Sequence, residues 1–153
     1  MRSAVGLPIC AAGIVSVPGR LVCVDGDRED VLPGIDLRAA FDTHTWGSMY
    51  VHVRNDRKRP NSDSYVLAGD LVCTCENLTG PDAGDPQFIP IGLAAGGQTN
   101  LLLSSQAMLD AVGGEVRRVI PIHDEKLGEI FPSRVTTQGL TVCEICLGDD
   151  ERS

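Results

Sequence analysis

The sequence predicts a single α/β domain in which most strands run antiparallel and helices are few. Two observations carry this. Runs of β-branched and aliphatic residues alternate with polar ones at a period of two and are joined by short turn-rich connections, whereas only one long stretch keeps helical spacing. The 153 residues are enough for one sizeable core, and with 42% hydrophobic and 22% charged residues the composition is that of a globular chain. With 17 glycines and 4% aromatics, the core is expected to rest on Val, Leu, Ile and Ala.

Taken in order, "RLVCVD" (20 to 25) reads as a strand, "GDREDVLPG" as a turn-rich connection, and "IDLRAAF" (35 to 41) as a second strand. In "FDTHTWGSMYVHV" a turn gives way to a strand over 48 to 54, since Met49, Val51 and Val53 alternate with Tyr50, His52 and Arg54. A basic loop, "RNDRKRP", leads to "SYVLAGD" (64 to 70), a strand that ends on Asp70. Such connections predict a meander in which successive strands pair. The segment from 75 to 97 is rich in proline and glycine and too long for an idle connector, so a functional role is expected of it. From Thr99 to Val112, Leu101, Leu102, Met108, Leu109 and Val112 fall near helical spacing; Thr99 or Asn100 is the expected cap and Gly113-Gly114 the stop. "EVRRVIPI" (115 to 122) reads as a short buried strand delivering His123 and Asp124 into a loop, and "GLTVCEICL" as a final strand before an acidic tail.

The net charge of −8, with basic residues clustered only in the 54 to 60 loop, argues against nucleic acid as a partner. No segment has the length and apolarity of a membrane span, so no membrane partner is expected. The six cysteines lack paired finger spacing: Cys143 and Cys146 would point to opposite faces of a strand, and Cys73 and Cys75 stand without a second pair. They read as reduced structural residues, which favours a cytoplasmic location.

His44 lies before a strand, Asp70 at the end of one, and His123 just past another. Strand ends at one sheet edge can bring such residues together, and His, Asp, His is a reasonable donor set for zinc or iron. The residues taken singly also admit plainer roles: Asp70 as a turn carboxylate, His123 bonded to Asp124, and His44 as a surface residue. His52, on a strand with no motif around it, reads as structural.

The order of three motifs adds a further observation. "LVCVDGDREDVLPGIDLRAAFDTHTWGSMYVHV", then "YVLAGDLVCTCENL", then "RRVIPIHDEKLGEIFPS" together resemble the C-terminal half of the metallo-β-lactamase superfamily, most closely its N-acyl homoserine lactonase-like branch, over residues 20 to 147. The resemblance implies part of an αββα sandwich, with residues 1 to 19 a separate N-terminal segment and 148 to 153 a tail. It also implies a hydrolase with two metals, usually zinc, in which His44 binds the first ion, Asp70 bridges both as the catalytic carboxylate, and His123 binds the second. In a complete site a metal-bound hydroxide would attack the carbonyl of a small-molecule lactone or ester.

The sequence departs from the family at several places. An upstream HxHxDH motif, which carries four further ligands, is absent, leaving two protein donors per ion where a catalytic zinc generally has three. Thr43 and Ile122 stand where glycines are usual, Trp46 where proline is usual, and Cys73 replaces a tyrosine. The expectation is therefore a half-site with little hydrolysis in this chain alone, completed by another polypeptide or a homo-oligomer. The alternative is a non-catalytic interaction module whose uncovered sheet face takes a partner.

Overall fold

The structure, a computed structural model, describes residues 24–55, 64–82, 87–92 and 94–145. Five strands form one sheet in the order β1 (Arg28–Leu32), β2 (Ile35–Ala39), β3 (Met49–Arg54), β4 (Ser64–Gly69) and β5 (Val119–Pro121). The first four pair antiparallel as a meander, and β5 joins β4 in parallel. The connection from β4 to β5 contains α1 (Glu76–Thr79), α2 (Gln98–Ala111) and a single 3-10 turn at Val116–Arg118. Beyond β5 come α3 (Leu127–Ile130) and a separate antiparallel pair, β6 (Ser133–Val135) and β7 (Thr141–Cys143). The α/β expectation, mainly antiparallel with one long helix, describes this arrangement.

One face of the sheet carries the core. Asp36, His52, Val66 and Val119 are register partners across β2 to β5, and all are buried. Helix α2 packs against this face through β4, with Leu101, Ser105, Met108 and Val112 buried at spacings of one helical stripe. On the opposite face the partners Leu37, Val51, Leu67 and Ile120 form a second row, in which Leu67 is 43% exposed.

Several local expectations are corrected. Of the strand expected at 20 to 25, residues 20 to 23 lie outside the described residues and Val24 and Asp25 are loop, while β1 lies inside the stretch read as a connection. Pro33 and Gly34 explain the shift: Gly34 has φ +78, which the second central position of a type II turn requires, so residues on both sides form a two-residue hairpin. Helix α2 has Gly97 as its N-cap with no side-chain cap bond, rather than Thr99 or Asn100. Its end follows expectation, since the amides of Gly113 and Gly114 return to the carbonyls of Asp110 and Leu109. In 115 to 122 only Val119–Pro121 is strand. The final strand shortens to β7, whose partner β6 was not foreseen. Residues 1 to 19, most of the basic loop, Cys146 and the acidic tail lie outside the described residues.

A buried ion cluster ties the first three strands together. Asp36 is 1% exposed and accepts bonds from Arg54 Nε (3.0 Å) and Nη2 (2.7 Å), Arg38 Nη2 (3.0 Å) and the Asp30 amide (2.9 Å). Burial pushes its carboxyl up, but the Arg54 and Asp30 bonds and the two guanidinium charges outweigh this and hold it below the usual range. His52 lies beside it, with Nδ1 3.7 Å from Asp36 Oδ2. The Ala111 backbone lies beside the ring, and Nε2 has no hydrogen-bond partner among the described residues. Burial lowers the His52 pKa, outweighing Asp36, so the ring is neutral at pH 7.

Candidate functional site

The sheet topology dictates which sequence-distant residues meet. Because β4 and β5 are parallel neighbours, their C-terminal ends lie at one end of the sheet, carrying Asp70 and the loop of His123. Strand β3 runs against β4, so its beginning, and with it the β2–β3 turn that bears His44, lies at that same end.

Side chains follow. His123 Nε2 is 3.0 Å from Asp70 Oδ1, and His44 Nε2 is 3.8 Å from Asp70 Oδ2, so each imidazole faces a different oxygen of one carboxylate. A cleft of about 510 Å³ opens over the three, with Cys73, Asn77 and Ile91 among its walls. The three candidates named from sequence are thus brought together. Asp70, in a turn and 50% exposed in its side chain, faces two histidines, and His123, 61% exposed, pairs with Asp70 rather than Asp124. His44 is 26% exposed in its side chain, with Nδ1 buried and without a hydrogen-bond partner among the described residues.

Supporting residues, which sequence reasoning missed, fix the β4 and β5 ends. Asn77 Oδ1 accepts from the amides of Cys73 and Thr74, and its Nδ2 donates to the Ile89 carbonyl. Asp124 accepts from the amides of Cys75 and Lys126, and the His123 amide donates to the Cys73 carbonyl. Asn and Asp are turn-bracing residues, and that chemistry was the available signal. The Asp124 carboxyl is held low despite burial, by those two amides, the Cys75 thiol and the Lys126 charge. Thr43, where the family has glycine, is accommodated: it is fully buried, and its hydroxyl donates to the Ala40 carbonyl.

Whether these residues suit a pair of metal ions follows from donor count and chemistry. His44, Asp70 and His123 are suitable in type, but they offer two protein donors to each ion. Among the described residues no group of three or more His, Cys, Asp or Glu could hold a metal ion. Of the neighbouring thiols, Cys73 lines the cleft. Burial and the Asp70 charge push the Cys73 thiol up, and burial, with Asp124 and Glu76, pushes Cys75 up to about 12. Among the described residues the His44 Nδ1 also has no partner of the kind that normally orients a ligating imidazole. The described residues do not by themselves make up such a centre.

The fold and these three residues define an α/β chain with a His–Asp–His cleft at one end of its sheet. Partial likenesses to solved structures are found. An N-acyl homoserine lactone hydrolase, solved with the product N-hexanoyl-L-homoserine at its catalytic metal centre, matches with TM-score 0.48 and 23% identity over 69% of this chain and 36% of that one. A mutant of B. thuringiensis AiiA with N-decanoyl-L-homoserine at its active site matches with TM-score 0.47 and 22% identity over the same shares. The chain therefore spans about a third of the length of the structures it matches, 36%. No protein-family model matches the sequence, and no curated protein matches it. No helix among the described residues is long and apolar enough to cross a membrane.

Proposed function

We propose that this chain supplies half of a lactonase-like hydrolytic site, with His44 and His123 as nitrogen donors to two ions, zinc in the first instance, and Asp70 as the carboxylate between them. One observation carries the reading: residues from three separate segments converge so that two imidazole Nε2 atoms face the two oxygens of a single carboxylate. The substrate class, a lactone or related ester such as an N-acyl homoserine lactone, comes from the motif resemblance. With two donors per ion, the chain alone binds zinc weakly and hydrolyses little. The domain boundaries at 20 to 147 and a cytoplasmic location belong to the same reading.

A specific observation supports completion by another polypeptide. On the outer sheet face Met49, Val51, Leu67, Ile120, Pro121 and Ile122 line an apolar groove of about 370 Å³. Leu67 and Ile122 are 43% and 58% exposed. The groove ends at Ile122, beside His123, so a layer of polypeptide covering it is brought to the donors that need completing. Its occupant in this reading is a second half-sandwich layer that carries the missing ligands. A non-catalytic interaction module would use the same face without the metal.

The test is zinc bound per purified chain, by elemental analysis after dialysis. About two ions per chain, lost in His44→Ala, Asp70→Ala and His123→Ala, is the result for a site completed between subunits. Loosely held zinc that becomes tight when the complementary layer is added is the result for a half-site. Zinc content and lactone hydrolysis unaffected by all three substitutions overturn the assignment.

A further inference from the structure

His44 does little to hold itself in place. Its Nδ1 has no hydrogen-bond partner among the described residues, and its Nε2 makes only the 3.8 Å approach to Asp70. Within the turn that carries it, the backbone bonds nearest His44 are long, Asp42 N to Trp46 O at 3.4 Å and Thr43 N to Thr45 O at 3.3 Å. The better bonds lie at its base and far side, Ala40 N to Ser48 O and Thr45 N to Ser48 Oγ at 2.9 Å each and the Thr43 hydroxyl to the Ala40 carbonyl.

A different segment, far along the chain, holds this turn. The amides of Ala95, Gly96 and Gly97 donate in reverse order to the carbonyls of His44, Thr43 and Asp42, at 2.9, 2.8 and 2.9 Å. Three consecutive donors thus meet three consecutive acceptors, as in a short antiparallel strap. From the first turn of α2, Asn100 Nδ2 adds bonds of 3.2 Å to both the carbonyl and the Oδ2 of Asp42. Asp42 has φ +54, a left-handed conformation unusual outside glycine, and the Asn100 bonds help to retain it.

Close approach is what the strap demands at position 96. A Cβ there would lie 2.3 Å from the Asp42 carbonyl carbon and 2.5 Å from the oxygens of Asp42 and Thr43. All three are backbone atoms, which cannot swing aside as a side chain can. The same connection also supplies Ile91 to the wall of the cleft, so the strap links that wall to the histidine.

We infer that Gly96 and Asn100 are positioning residues for His44: the strap from the start of α2 sets where the imidazole stands against Asp70. This deepens the half-site reading, but its test needs neither metal nor turnover. The full chain, labelled for NMR and kept in chelator, is compared with Gly96→Ala, Asn100→Ala and Gly47→Ala. Gly47 lies in the same turn, and a Cβ at that position would meet nothing within 4 Å, so alanine is harmless there. The imidazole Cε1–Hε1 resonances of His44 and His52 are recorded, together with amide hydrogen exchange at 95 to 97.

Gly96→Ala is expected to move the His44 resonance and to speed exchange at Ala95 and Gly97 on the order of tenfold. His52, beside the C-terminal end of α2 at Ala111, should keep its shift, and Gly47→Ala should leave all of these unchanged. Asn100→Ala should move His44 in the same direction by a smaller amount, which keeps the inference testable if Gly96→Ala fails to fold. An unmoved His44 resonance in the folded variants overturns the inference, as does a joint shift of His44 and His52, which would mean general loosening. Absence of zinc binding or hydrolysis in the parent chain would count against the half-site and leave these outcomes intact.

Discussion

Replacing Asp36 with alanine is expected to be among the most damaging single changes available in the sheet. The carboxylate is 1% exposed and receives four bonds, three of them from guanidinium groups on β2 and β3 and one from the β1 backbone. Breaking one partner of a fully buried pair costs about 3–5 kcal/mol, because the other charge is left unpaired. Here the arginines retain contact with water, at 25% and 26% side-chain exposure, so they recover part of their solvation. A net loss of about 2–4 kcal/mol follows, a large share of the roughly 5–15 kcal/mol that holds a domain of this kind. With a mid-range urea slope of about 2 kcal/mol per M, the unfolding midpoint followed by circular dichroism should fall by about 1–2 M. The folded carboxyl titrates below its unfolded value near 3.8, so its contribution is present above that pH and disappears as pH falls through the lower folded pKa. The gap between parent and variant should accordingly narrow in acid below about pH 4. A midpoint shift under about 0.5 M at pH 7, or a gap that widens in acid, would refute the account of the cluster.

His52 carries a second pH dependence of the same sign: burial depresses its pKa below 6.5, so its contribution is complete above that value and is lost as pH falls through the folded pKa. Urea midpoints should decline between pH 7.5 and 5 in the parent and decline less in His52→Gln; equal slopes would assign the decline to other groups. On the outer face, Leu67→Lys combined with Ile122→Lys should leave stability within about 0.5 kcal/mol while raising the monomer fraction seen by light scattering. Unchanged self-association in that variant would remove the groove from consideration as an interface.

The sequence by itself determined the elements whose period and punctuation agree. Strands β2, β3 and β4 and helix α2 lie within a residue or two of where alternation and helical spacing put them, because each buries one face and so must repeat at 2 or at 3.6 residues. It also determined His44, Asp70 and His123 as the residues to watch, through their places at strand ends and the order of the surrounding motifs. Strand β1 was hidden because its residues are all exposed and carry no alternation, leaving Pro33-Gly34 as the clue. Only the tertiary structure decided that β4 and β5 lie parallel, which puts Asp70 and His123 on one edge at 3.0 Å. It alone decided that Asp36 is buried between arginines, and that Gly96 passes against the His44 turn. The first and last are pairings between segments about fifty residues apart, and the Asp36 cluster needs β1, β2 and β3 side by side, so no local pattern encodes them, because their energy is realised only when the segments are already folded together.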